Sequence, residues 1–96
     1  MKTCKGHSSA LLYAAMCQEW GLVYTLQDLT NPGLSLVHEA GLAARLSTMM
    51  GFEYNSRQYL PASSPELRAR HESLFTVRQG EVRTDTLSGV GLGYQL

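Results

Sequence analysis

Cys4 and His7 stand in a C-x-x-H spacing, and Cys17 could serve as a third ligand. Zinc is ordinarily held by four ligands drawn from two such pairs, and no second pair exists here. The reading that follows is an N-terminal Cys and His, with Cys17 packed as a thiol inside a helix. A nucleophilic centre needs a Ser or Cys beside a base that a third group orients. His7 lies near the N-terminus, His38 falls on the polar side of its helix, and His71 falls on the inner side of another, where a structural histidine is the ordinary occupant. Glu39, Glu53 and Asp85 carry no motif that would mark them for acid–base work. The run Gly89-Val90-Gly91-Leu92-Gly93 misses the dinucleotide fingerprint, because its third glycine comes too early and no helix follows. The expectation is therefore no catalytic residue, no metal, no cofactor and no enzymatic activity.

The totals bound the rest. Ninety-six residues make a single small domain that buries only about 60–65% of its unfolded surface. The N-terminal residues 1–7 and the C-terminal residues 88–96 are the candidates for flexible ends. No apolar run reaches the length of a membrane span, and the start is too polar to lead a signal peptide, so a soluble cytoplasmic protein is expected. Lys and Arg balance Asp and Glu at eight each, three against three through Met50 and five against five beyond it. Dedicated nucleic-acid binders usually carry a net basic surface, and this chain has none to offer beyond a local patch.

The elements that would position functional side chains read as α+β: three helices with a short C-terminal antiparallel β-hairpin or sheet. Ser8 to Trp20 is almost wholly apolar, which predicts a helix buried on most of its circumference, ended by Gly21. Val23 to Leu26 reads as a brief strand, with a helical turn over Thr25 to Leu29 as the alternative, and Thr30-Asn31-Pro32-Gly33 as a turn. Ser35 to Met50 is amphipathic, with Leu36, Ala40, Ala43, Leu46 and Met50 inward, and Gly41 marking a close crossing or a break. Residues 52–62 are ambiguous between strand, helix and loop. Ser64 to Leu74 is a capped helix with Leu67, His71 and Leu74 inward, starting either from a Ser63/Glu66 capping box or from Ser64 with Pro65 at the first position. Phe75 to Thr84 reads as a hairpin whose Gln79-Gly80 loop sets Arg78 opposite Glu81, preferred over a Gly80-Glu81 loop that would set Arg78 against Arg83. Ser88 to Leu96 is a glycine-bearing last strand or a loose end.

Gly41 to Thr48, the interval through Tyr54, and then Asn55-Ser56-Arg57-Gln58 loosely resemble the helix-turn-helix of winged-helix regulators. That resemblance implies duplex DNA as partner. Asn55, Ser56, Arg57 and Gln58 would meet base edges, with Arg57 suited to guanine and Gln58 to adenine, and the hairpin would serve as a wing with Arg78 and Arg83 on phosphates. Pro61 would cut such a recognition helix short, and the capped helix at Ser64 stands where the wing should begin. The alternative is a small adaptor or inhibitor that docks on a host protein. Tyr13, Trp20, Tyr24, Tyr54, Tyr59 and Tyr94 exceed what so small a core can bury, and Tyr and Trp are enriched where interfaces carry their energy, with Tyr54 and Tyr59 as candidate contacts. A non-catalytic regulatory protein is the common expectation, a DNA-binding winged helix its most concrete form, with duplex DNA or a host protein as partner, no membrane, and a homodimer open.

Overall fold

The structure is a computed structural model that describes residues 6–94. Its longest element, α1 (His7–Glu19), forms from a run without glycine or proline and follows Gly6, whose φ of 101° turns the chain in; no side chain caps the first turn. Its end is a Schellman closure. Leu22 N–H donates to Cys17 C=O (2.8 Å) and Gly21 N–H to Gln18 C=O (3.3 Å), with Gly21 at φ 65°. These bonds satisfy carbonyls that the helix leaves open.

The centre of the fold is α2 (Leu34–Ala43), which buries Leu36, Val37, Glu39, Ala40, Gly41 and Leu42. One core gathers Val37, Ala40, Leu74 and Leu87 and takes Tyr54, Leu67, Phe75 and Tyr94 against it. A second gathers Ala10, Leu26 and Leu42 with Leu46 and Leu92. Phe52 packs against both, so α2 and Phe52 tie the halves together. Gly41 is required at its position because a Cβ there would run into the backbone carbonyl of Leu92. Arg45 fastens the same crossing: its guanidinium donates to the carbonyls of Gly41 (2.9 Å), Leu87 (3.0 Å) and Gly89 (3.1 Å).

The α+β expectation is contradicted. The architecture is all-helical: α1 and α2 are followed by the short α3 (Ser56–Tyr59), α4 (Pro65–Arg70) and α5 (Glu72–Phe75). No strand occurs among the described residues, where β pairing amounts to two isolated bridges, Gln27 parallel to Glu53 and Arg78 antiparallel to Glu81. Val23 to Leu26 therefore forms no strand, because its extended backbone finds only that one parallel contact. The expected hairpin shrinks to its turn. Arg78 and Glu81 exchange both backbone bonds (2.9 and 3.0 Å) around Gln79 and Gly80 at φ 53° and 80°. The ladder goes no further: Phe75 lies in α5 with Arg68 4.7 Å above its ring, and the Thr76 hydroxyl donates back to Glu72 C=O at 3.0 Å. A two-stranded ribbon without a covering layer is marginal in water.

Two helices are shorter than their periodicity predicts. Beyond Ala43 the Arg45 and Leu46 amides close tighter bonds to Leu42 and Ala43, and the Thr48 hydroxyl donates to Met50 C=O at 2.6 Å. That local bond competes with helix continuation, and Met49 N–H turns away to Tyr24 C=O at 2.9 Å. Met50, expected inward, is exposed. The Ser64 to Leu74 helix breaks at His71 (φ −124°, ψ 50°) into α4 and α5, yet His71 and Leu74 are buried and Leu67 half-buried. Ser64 takes the N-cap place in a left-handed conformation, with Pro65 opening the helix and no side-chain bond. Of the expected loose ends, residues 1–5 and 95–96 lie outside the described residues; His7 opens α1, and Leu92 and Tyr94 pack on the two cores.

Candidate functional site

α1 is built inside out. Its only buried residues are Ala10 and Ala14, while Leu12 (60% exposed), Tyr13 and Trp20 (64%) stand outward, followed by Leu22 and Val23 (72%). At 100° per residue Ala10 and Ala14 point to the body and Leu12, Met16 and Glu19 point away. The expectation of a helix buried on most sides is thus corrected: the fold supplies a small seat for alanines and nothing over the large side chains. A helix with apolar residues on several sides is normally covered on more than one of them.

Beyond the Schellman turn the surface continues without a charge. Tyr13, Met16, Cys17, Trp20, Leu22 and Tyr24 line one shallow hollow. Val23, Tyr24, Thr25 and Met49 line a second that shares Tyr24. The Tyr24 hydroxyl is buried beneath this surface with no hydrogen-bond partner among the described residues. A buried donor without a partner is uncommon and costly. At about 150–250 Å² for a Tyr or Trp side chain and roughly 150 Å² for a Leu, Val or Met, Leu12, Tyr13, Trp20, Leu22, Val23 and Met49, each more than half exposed, present on the order of 600–700 Å². The largest apolar patch on a typical monomer is about 300–600 Å².

The chain that follows the second hollow is anchored by Asp28. Its carboxylate is wholly buried and accepts three backbone N–H bonds: Thr30 to Oδ1 at 2.7 Å, Asn55 and Ser56 to Oδ2 at 2.6 and 2.9 Å. The last two amides belong to the entry of α3, so one side chain caps a distant helix and closes its own turn. With the Gln27–Glu53 bridge beside it, Asp28 ties the turn at residues 28–30 to the entry of α3, while Met49 N–H, donating to Tyr24 C=O at 2.9 Å, holds the backbone under the second hollow.

The residues expected to read DNA are placed otherwise. Ser56 is buried, its amide bound to Asp28. Asn55 donates from Nδ2 to Glu53, and Arg57 lies 5.9 Å from the Tyr54 ring centroid. Gln58 is exposed on a helix of four residues. Arg78 and Arg83 share an open groove with the carboxylates Glu72 and Glu81, and Arg83 is paired with Asp85 at 3.0 Å. With no wing and a one-turn α3, the winged-helix reading and the DNA-binding role drawn from it are overturned. Of the two tyrosines named as partner contacts, Tyr59 is exposed (70%) and Tyr54 is half-buried, donating to Leu74 C=O at 2.8 Å. Burial pushes the Tyr54 phenol up to about 12, with Arg57 opposing and Asp28 reinforcing the shift.

The three histidines converge, which their sequence positions did not announce. His7 lies 5.6 Å from His38, His38 5.9 Å from Tyr94, and His71 5.7 Å from Tyr94, centroid to centroid. Burial, then the nearby His7, lowers His38; burial, then Arg70, lowers His71. His71 Nδ1 meets the Thr86 hydroxyl at 3.0 Å, while its Nε2 is buried with no partner among the described residues. The third group that would orient such a base is thus not provided there. No group of three His, Cys, Asp or Glu able to hold a metal occurs among the described residues, and Cys4 lies outside them. No protein-family model matches the chain, and no curated protein or solved structure matches it.

Proposed function

We propose that this chain is a non-catalytic binding protein that acts by docking on a protein through the outer face of α1 and residues 22–24. The observation that carries this reading is the inversion of α1, with alanines inward and Leu12, Tyr13 and Trp20 outward. The two hollows of this face are lined by Tyr, Trp, Leu and Met without a charge, with Glu19 beside them on the Leu12 side of α1; that is the composition of an interface centre, where charge is depleted and aromatics are enriched. The face suits neither nucleic acid nor lipid. Phosphate needs cations, and an interfacial helix needs Lys or Arg flanking its apolar side, whereas α1 contains neither. No described helix is long and apolar enough to cross a membrane.

The test is retention on the immobilised full chain, wild type against Leu12→Glu, across a salt series. Wild type is expected to hold a protein stoichiometrically at low and high salt, and the variant to lose it. Equal retention by both forms, or retention only of nucleic acid that washes off with salt, refutes the proposal.

A further inference from the structure

We infer that the molecule covering the α1 face is a second copy of this chain, so that the protein is a two-fold dimer joined through Leu12, Tyr13, Trp20, Leu22 and Val23. The inference rests on the docking reading above and names its partner.

Area is the first argument. A stable interface of standard size buries about 800 Å² per partner, and the exposed apolar side chains of this face supply on the order of 600–700 Å² before Met16 and Tyr24 are added. The face alone therefore meets what a dimer needs. Charge is the second. Partners of different sequence are commonly selected by complementary charges, and like charges set opposite one another cost several kcal/mol. Neither hollow is lined by a charged residue, so their linings bring no like charges together and offer a charged partner nothing to match, while Glu19, exposed on the Leu12 side of α1, stays outside both. Form is the third. A two-fold contact presents the same patch twice and must be self-complementary. Here the exposed Leu12 precedes Tyr13 and stands one turn before Met16, both of which line the hollow, so each copy carries both an outstanding apolar side chain and a recess. The chain as a whole is neutral, and no long-range repulsion opposes the encounter.

The experiment is sedimentation equilibrium of the full chain from about 1 to 100 µM, a range chosen because interfaces of this area bind at micromolar strength or tighter. Leu12→Glu and Val23→Glu are run alongside, with circular dichroism confirming an unchanged helix content. Expected is a doubling of mass for the wild type. In both variants the dimer should weaken at least about hundredfold, since a carboxylate buried without a partner costs several kcal/mol. A wild type that dimerises equally well in both folded variants overturns the inference, because another face is then responsible. A wild type that stays monomeric also overturns it. In that case, immobilised chain that retains a different protein in a Leu12-dependent way leaves the docking proposal standing, and failure to retain any protein removes both.

Discussion

Replacing Asp28 by alanine removes the carboxylate that collects the Thr30, Asn55 and Ser56 amides at 2.6–2.9 Å. A hydrogen bond to a charged group contributes about 1.5–3 kcal/mol net, and an amide left buried without an acceptor costs about 1–3 kcal/mol. The three bonds share one acceptor and are not additive, so the loss is set at about 3–5 kcal/mol, a large part of the about 5–15 kcal/mol that holds a domain together. Asp28 is wholly buried, so water cannot replace the lost acceptor without opening the turn. Asp28→Asn refines the test. Its single oxygen, placed at the Oδ2 position, keeps the Asn55 and Ser56 bonds but turns an N–H₂ toward the Thr30 amide, for a loss of about 1–2 kcal/mol. Urea unfolding followed by circular dichroism measures both. An alanine variant within about 0.5 kcal/mol of wild type, the size of an ordinary surface substitution, refutes the reasoning.

Two further perturbations probe the frame behind the site. Gly41→Ala is expected to destabilise by about 1–2 kcal/mol in the same assay, because the cost of driving a Cβ into the Leu92 carbonyl exceeds the roughly 1 kcal/mol that alanine gains in a helix; a stabilised variant contradicts this. Acid is expected to weaken the fold through His38 and His71, whose folded values lie below the usual 6.5. The unfolded chain then binds more protons in that window, so their contribution is complete above 6.5 and is lost as pH falls through the lowered folded values. The urea midpoint should drop over that window, and the double variant His38→Gln/His71→Gln should flatten the slope; an unaltered slope contradicts the assignment.

Local chemistry was the legible part of the sequence. Gly21 closes α1, Pro65 opens α4, and Gln79-Gly80 reverses the chain with Arg78 against Glu81, each because a single residue's backbone preference decides the matter. Longer-range outcomes were not legible. The apolar run of α1 reads as core because periodicity counts apolar residues without saying which side finds a neighbour, and the seat accepts only Ala10 and Ala14. Hairpin pairing depended on Phe75 remaining free for a strand, and α5 took it. Asp28 passed unnoticed although it stands two residues before Thr30, the spacing of a side chain that closes its own turn; its grip on Asn55 and Ser56 crosses 27 and 28 residues and leaves no local trace. The candidate face was half visible, since Tyr13 and Trp20 belonged to a surplus of aromatics whose placement only the fold could decide.

The account stands on the outer face of α1 being covered when the protein is at work. Hydroxyl-radical footprinting of the full chain, assembled and as the Leu12→Glu monomer, measures that cover directly. Tyr13, Trp20 and Met49 should lose reactivity on assembly, while Tyr59, outside the face and exposed in the single chain, should stay reactive. Equal reactivity of Trp20 in both forms contradicts the central claim.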